Sequence, residues 1–174
     1  MADGDIRLLP FTLDHRDALR AACAKDPAIW EIYPVNMLGA GLDEKIARFH
    51  GGGWVGFSIF SGDALVGTSS YINPDTANGS VEIGGTYIEP SVRGGDFNRR
   101  IKHLMLDRAF AVGFRRVQFN VDTRNQRSMA ALRKLGATYE GTLRSHRVTW
   151  TGYVRDTAVF SILADEWHAT HPGG

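Results

Sequence analysis

Glu89-Pro90-Ser91-Val92-Arg93-Gly94-Gly95-Asp96-Phe97-Asn98-Arg99-Arg100 is the stretch on which the reading of this chain turns. It joins a strand-like segment, Ser80 to Ile88, to a helical one in which Ile101, Leu104, Met105, Ala109 and Val112 fall on one face and Arg99, Lys102, His103 and Asp107 fall off it. A glycine-containing turn that delivers a strand into a long helix leaves several N–H groups without carbonyl partners, and residues lacking a Cβ let an anion approach them. A phosphate fits such a turn. A plain tight turn also accounts for Gly94-Gly95 in a chain with 20 glycines. Asp96 is an N-cap candidate whose carboxylate would occupy the same amides; Asn98 is the alternative cap, which would leave Asp96 in the loop. Arg93, Arg99 and Arg100 offset the Asp96 charge and can reach phosphate oxygens.

Upstream of this stretch the chain reads as strands. Trp54 to Phe60 and Ala64 to Ile72 flank a Ser61-Gly62-Asp63 turn as a hairpin, and Asn73-Pro74-Asp75 through Asn78-Gly79 leads to the strand Ser80 to Ile88. In that strand Gly84-Gly85 interrupts the alternation of Val81 and Ile83, for which a bulge is the simplest cause. Further back, Ile6 to Leu9 is a short strand, Thr12 caps a helix running to about Lys25, and Trp30 to Gly53 is mostly irregular with a short helix near Asp43 to His50. Downstream, Gly113 ends the long helix and Arg116 to Val121 alternates with Val117, Phe119 and Val121 on one side. Asn125 to Leu135 is a second helix with Met129, Leu132 and Leu135 inward, closed by Gly136. Two long strands, Ala137 to Val148 and Tyr153 to Leu163, complete the order β-α-α-β-β-β-α-β-α-β-β, an α/β (α+β) arrangement with a mixed sheet and helices on its faces.

The 174 residues, with 43% hydrophobic and 22% charged, suit one domain spanning 1–170 with a loose tail at 171–174. A net charge of +1 supplies no global field for nucleic acid or an anionic membrane, so neither is expected as a partner. No apolar run approaches the roughly 20 residues that cross a bilayer. The acidic start Met-Ala-Asp-Gly-Asp has no apolar segment behind it, and the single cysteine, Cys23, suits a reducing cytoplasm. The six histidines lack carboxylate or thiol partners at ligand spacing, so no metal is expected.

Strand, Arg93-Gly94-Gly95-x-x-Asn98 loop, helix, strand, then Asn125-x-x-Ser128 opening a helix that ends Lys134-Leu135-Gly136-Ala137, resembles the GCN5-related N-acetyltransferase (GNAT) superfamily. Within it the chain is most similar to the branch containing the ribosomal-protein N-terminal acetyltransferases. The likeness runs from about Ile6 to Trp167 and is strongest over Val81 to Phe160. It implies a mostly antiparallel central sheet with one bulged, splayed strand, and acetyl-CoA as acyl donor. In the family a Q/R-x-x-G-x-G/A loop cradles the donor's pyrophosphate; Arg93 matches its first position, while Asp96 and Asn98 stand where small residues are usual, so Gly94 to Arg99 with Phe97 is a variant cradle. The strand from Gly84-Gly85 through Thr86, Tyr87 and Ile88 matches the one whose backbone bonds the pantetheine arm. Asn125 matches a cofactor-contacting Asn, and Ser128 stands where several members of the branch place a proton donor for the departing thiolate.

Attack of an amine on a thioester needs a neutral amine, a polarised carbonyl and a proton for the leaving sulfur. Glu82, two residues before the expected bulge, is the candidate base, with a solvated strand position as its competing reading. Ser128 could equally bond local backbone, and Asn125 could serve as a helix cap. Trp30, Tyr33 and Phe49 are candidates for an acceptor pocket, with simple cover for the sheet as their competing reading, and Arg144 and His146 on the first of the last two strands are candidates to face groups beside the acceptor amine. The expected activity is direct acetyl transfer to a primary amine, either a small molecule or a protein N-terminus, by an enzyme whose exposed strand edges could pair into a homodimer. The alternative is a non-catalytic acyl-CoA-binding module that retains the fold.

Overall fold

The computed structural model describes residues 1–171. In chain order the elements are β1 (Ala2–Asp3), β2 (Ile6–Pro10), α1 (Arg16–Ala24), α2 (Ala40–His50), β3 (Trp54–Ser61), β4 (Ala64–Asp75), β5 (Ser80–Ile88), α3 (Phe97–Ala111), β6 (Arg116–Asp122), α4 (Gln126–Lys134), β7 (Thr138–Val148), β8 (Val154–Leu163) and α5 (Ala164–Thr170). They form one eight-stranded sheet in the order β1-β2-β3-β4-β5-β6-β8-β7. Every neighbouring pair is antiparallel except β5 and β6. The expected elements are all present, shifted at their ends by a few residues. The short strand β1 and the helix α5 are additions to that expectation. α5 follows β8 directly and is held by Trp167, whose indole N–H donates to Asp107 Oδ1 at 2.7 Å. His171, where a loose tail was expected to begin, stacks its ring on Trp167 at 3.8 Å; the rest of that expected tail, 172–174, lies outside the described residues.

Alternation along the strands sorts their side chains to two faces. Val81, Ile83, Val117, Phe119, Val121, Ala158, Phe160 and Ile162 lie on one face and form the main core with Ile101, Met105, Leu106, Ala109 and Phe110 of α3, Met129 and Leu132 of α4, and Trp167 of α5. A second cluster on the opposite face joins Leu19, Ala22 and Cys23 of α1 to Leu42 and Ile46 of α2, with Trp30, Met37 and Tyr87. Each large side chain fully buried in this way contributes about 1.5–3 kcal/mol. Cys23, with its thiol pushed up to about 12 by burial, is packing and not a reactive group.

The feature that positions everything else is in β5. Its register against β4 slips where Thr68 pairs with Tyr87 but Ser70 pairs with Gly84, so Gly85 and Thr86 together oppose Ser69 alone. Gly85 has φ +59°, a left-handed conformation that glycine tolerates and that makes the bulge. The extra residue reverses the alternation. Ile83 and Ile88, five positions apart, both reach the main core, while Tyr87 turns into the second cluster. On its other edge β5 pairs with β6 only through Ser80, Val81 and Glu82. Beyond Glu82 the two strands part, and the expected bulged and splayed strand is observed.

Close backbone approach at Gly67 seals the other side of this strand. A Cβ placed there would lie 2.2 Å from the Tyr87 carbonyl oxygen. Gly67→Ala is therefore expected to cost about 1–3 kcal/mol, the range for overpacking, read as a lower urea midpoint. An unchanged midpoint would contradict the packing described here.

Candidate active site

The wedge between β5 and β6 has its apex at Glu82, which forms the last rung with Gln118. Glu82 is half-buried, and its Oε2 accepts a hydrogen bond of 2.7 Å from Asn120 Nδ2. Arg116 starts a chain that orients this contact. It donates to Gln118 Oε1 at 3.1 Å, Gln118 Nε2 donates to Asn120 Oδ1 at 3.2 Å, and Asn120 then has an N–H left for Glu82. Since a guanidinium can only donate, it sets the orientation of both amides. Arg116 is itself held by both oxygens of Glu140, whose carboxyl that guanidinium brings down to about 2. Gly84 leaves the space that Glu82 uses: a Cβ there would sit 2.8 Å from Glu82 Oε1. Burial raises the Glu82 pKa, and the Asn120 hydrogen bond and the cations Arg147, Arg155 and Lys102 only partly offset it.

Past the apex, the bulge is held by side chains, two of which, Tyr33 and Lys102, were expected in an acceptor pocket and off the apolar face of α3. Lys45 of α2 donates to the Gly85 carbonyl, and Tyr33 donates to the Thr86 carbonyl at 2.7 Å. The Thr86 hydroxyl meets Ser69 Oγ at 2.7 Å and Lys102 Nζ of α3 at 2.8 Å. Both lysines are buried; burial pulls Lys45 down to about 8 and Lys102 to about 7. Lys102 was expected on the solvated face of its helix. Its position under the wedge, above the Phe119 ring, shows that α3 is covered on more than the one stripe its apolar residues define. Val112, expected inward, is 51% exposed instead because the helix has ended there.

The loop into α3 is open. Gly94 and Gly95 have φ +89° and +44°, and the amides of Gly94, Gly95, Asp96, Phe97, Asn98 and Arg99 find no acceptor among the described residues. Asp96 occupies the cap position without using its side chain as a cap; its carboxylate is exposed, with Arg99 at 3.6 Å. Asn98 lies inside the first turn of α3 and is exposed, so it is not the cap. Phe97 packs its ring against the main core, leaving its amide to the loop.

Two of the three arginines expected at this loop are otherwise engaged. Arg100 is committed to the N-terminal strand, through Asp3 Oδ2 at 2.6 Å and the Asp3 carbonyl at 2.7 Å. Arg93 donates to the Ile88 carbonyl at 2.6 Å and pairs with Asp26, while its Nη2 is buried with no acceptor. Arg99 is the arginine left at the mouth of the loop.

The remaining expected residues divide. Of the strand expected to hold the pantetheine arm, Thr86 and Ile88 have their carbonyls taken by Tyr33 and Arg93, and Tyr87 is a core residue whose hydroxyl donates to the Ala22 carbonyl at 2.8 Å. Asn125 is the cap of α4, its Oδ1 accepting from the Ser128 amide at 3.0 Å; the Ser128 hydroxyl makes no bond within the described residues. Burial pushes the Tyr33 phenol up to about 12. Trp30 is corrected from pocket to core: it is 1% exposed, donates to the Cys23 carbonyl at 3.2 Å and packs 4.8 Å from the Tyr87 ring. Its own carbonyl accepts from Trp150 Nε1 at 2.7 Å, tying the β7–β8 turn to the irregular segment. His146 reaches Thr157 Oγ1 at 3.0 Å on the Glu82 face, whereas Arg144 is exposed and has no partner among the described residues.

Among the described residues no group of three or more His, Cys, Asp or Glu side chains could hold a metal, and no helix is long and apolar enough to cross a membrane.

The chain as a whole has counterparts in known proteins. The family model for an acetyltransferase (GNAT) domain matches residues 5–138. A probable acetyltransferase of the GNAT family from Chromobacterium violaceum superposes with a TM-score of 0.87 at 30% identity, covering 95% of this chain and 86% of that one. A GCN5-related N-acetyltransferase from Brucella melitensis gives 0.87 at 27% identity, with 97% and 80% covered. The spermidine N-acetyltransferase from Vibrio cholerae, solved with CoA and spermine, shares the fold at a TM-score of 0.78 and 17% identity, with 95% and 99% covered. No curated protein sequence matches at a significant level. With more than half of its length matched by that model and its sheet split at Glu82 in the manner described, the chain belongs to the GNAT acetyltransferase family.

Proposed function

We propose that the protein is an acetyl-CoA-dependent N-acetyltransferase that transfers the acetyl group directly to a primary amine. The observation that carries this reading is the cradle, whose free amides lie at the positive end of a 15-residue helix beside a cleft with a buried carboxylate at its apex. Acetyl-CoA supplies the activated acyl group. The amides of Gly94 to Arg99 bind the diphosphate, with the unsatisfied Arg93 Nη2 as a further donor and Arg99 at the rim. Glu82, with its pKa raised toward neutrality by burial, takes the proton from the incoming ammonium, directly or through water. Ser128, whose hydroxyl is uncommitted, returns a proton to the departing sulfur. Asn120 keeps Glu82 aimed, and Lys45 and Tyr33 hold the bulge open by taking carbonyls that would otherwise seek partners across the cleft.

Asp96 is the feature that favours the alternative of a non-catalytic acyl-CoA-binding module; its carboxylate accepts none of those amides. The finer placement, close to the ribosomal-protein N-terminal acetyltransferases, rests on the Asn125-x-x-Ser128 helix start and is part of this proposal.

Acetyl-CoA at a hundred times its dissociation constant is expected to stabilise the protein by about 2.7 kcal/mol, or roughly 5–10 °C in Tm for a chain of this size. Arg99→Glu, an exposed change, is expected to shrink that shift at equal ligand concentration. A flat melting curve for the wild type at millimolar acetyl-CoA contradicts the donor site. Glu82→Gln is expected to lower kcat by about 10²–10⁴, the range for a general base, with acetyl-CoA binding retained. Asn120→Ala removes the hydrogen bond that favours the Glu82 carboxylate, so its pKa rises and the acidic limb of the kcat/KM–pH profile should move to higher pH. A profile that stays in place in Asn120→Ala argues that another group is the base.

A further inference from the structure

The polar face that carries Glu82 continues into two arginines that form no ion pair among the described residues. Residues two apart on a strand share a face, and Asp122 stands directly opposite Thr157, so Asn120, Asp122, Thr157 and Arg155 all lie on the Glu82 side. Arg155 is only 4% exposed. Its Nε donates to Thr157 Oγ1 at 3.0 Å, but its two terminal nitrogens meet no acceptor and it forms no ion pair among the described residues. The carboxylate beside it, Asp122, is committed through both oxygens to Arg124, at 3.0 and 2.8 Å. Directly across the β7–β8 pair from Arg155 stands Arg147, which forms no ion pair among the described residues. His146 joins them through the same Thr157 hydroxyl.

Two guanidinium groups in opposed positions repel each other, and the nearest carboxylates, Asp122 and Glu82, only partly offset the burial of Arg155. A fork of N–H donors with no acceptor among the described residues, held by Thr157 and backed by a second arginine and a histidine, matches the geometry of carboxylate and phosphate oxygens. Strand spacing puts the Arg155 guanidinium, drawn over Thr157, roughly 10 Å from the Glu82 carboxylate that leans on Asn120. An amine at Glu82 and an anion at Arg155 would therefore be several bonds apart in one molecule.

We propose that Arg155, with Arg147 and His146, binds an anionic group of the acceptor, so that the substrate is a primary amine that also carries a carboxylate or a phosphate. The assignment rests on the acetyl-transfer reading of Glu82 and the cradle. It sets this protein apart from any enzyme for polyamines, whose additional positive charges would meet Arg155 and Arg147 head-on.

The test is a thiol-release assay on the full chain with saturating acetyl-CoA and amines in matched pairs: β-alanine with β-alaninamide, O-phosphoethanolamine with ethanolamine, the dipeptide Ala-Glu with Ala-Gln, and spermidine alone. In at least one pair the anionic member should have a kcat/KM ten or more times that of its neutral partner, with spermidine below it. The pair with the largest ratio tells a free carboxylate, a phosphate and an acidic peptide apart. Arg155→Met should lower kcat/KM for the anionic member at least tenfold more than for the neutral one, chiefly through KM. If that variant fails to fold, Arg147→Met, at an exposed position, should reduce the same ratio. Equal values within every pair, a preference for spermidine, or no turnover of any of these amines by a protein that binds acetyl-CoA overturns the assignment. Absence of an acetyl-CoA thermal shift strikes instead at the donor site on which it rests.

Discussion

The separation of β5 from β6 beyond Glu82 is the constraint on which the rest depends. Parallel neighbours in a sheet normally continue their ladder, since every unpaired N–H and C=O within the protein must be satisfied elsewhere. Here the ladder stops after three rungs. Gly85 in a left-handed conformation turns the strand, and the carbonyls of Gly85, Thr86 and Ile88 are taken by Lys45, Tyr33 and Arg93. Side chains from α2, the irregular segment and the loop before α3 thus do what the neighbouring strand would have done. The wedge is held open from three directions, and the cradle at the start of α3 lies at the end of the strand that forms one of its walls.

This arrangement also explains an unusual concentration of buried positive charge. Lys45 and Lys102 are drawn into the interior by polar atoms of the bulge, and burial lowers both pKa values toward neutrality. Arg155 is buried on the other side of the wedge, and burial lowers its pKa as well. Glu82 is the half-buried acid between these cations, its proton affinity a balance of burial against Asn120 and the surrounding positive groups. Such a site tolerates the negative charge of a nucleotide-bearing thioester at one end and, on the reading of Arg155 above, of an acceptor at the other. The electrostatic character of the cleft is built from residues that hold strands in place, so structure and chemistry are not separable at these positions.

Much of this could be read from the chain because its punctuation is explicit. Gly84-Gly85 interrupting an alternating strand announced the bulge, and Gly94-Gly95 before an amphipathic helix announced the cradle. Val117, Phe119 and Val121, with Met129 and Leu132, showed which face each element buries. The resemblance to the family supplied the splay, which no local pattern encodes. What escaped the sequence were long-range contacts. Lys102 reads as a surface lysine because its burial comes from β5 and β6 and not from its own helix. Trp30 reads as pocket lining because nothing local reveals that Tyr87, 57 positions on, turns toward it after the bulge. Arg100 reads as a phosphate ligand because Asp3, which engages it, is distant in sequence. Arg155 and Arg147 had no visible signal at all, since only the strand register sets them opposite each other.

The central claim, that one cleft receives the donor between the cradle and the parted strands, is tested most directly by titrating 15N-labelled protein with CoA and following the amide resonances. The account requires the largest shifts at Gly94 to Arg99 and at Glu82 to Ile88, with residues of the α1–α2 cluster such as Leu19 and Leu42 little changed. Shifts confined to other parts of the surface, or a spectrum that CoA leaves untouched, would contradict it.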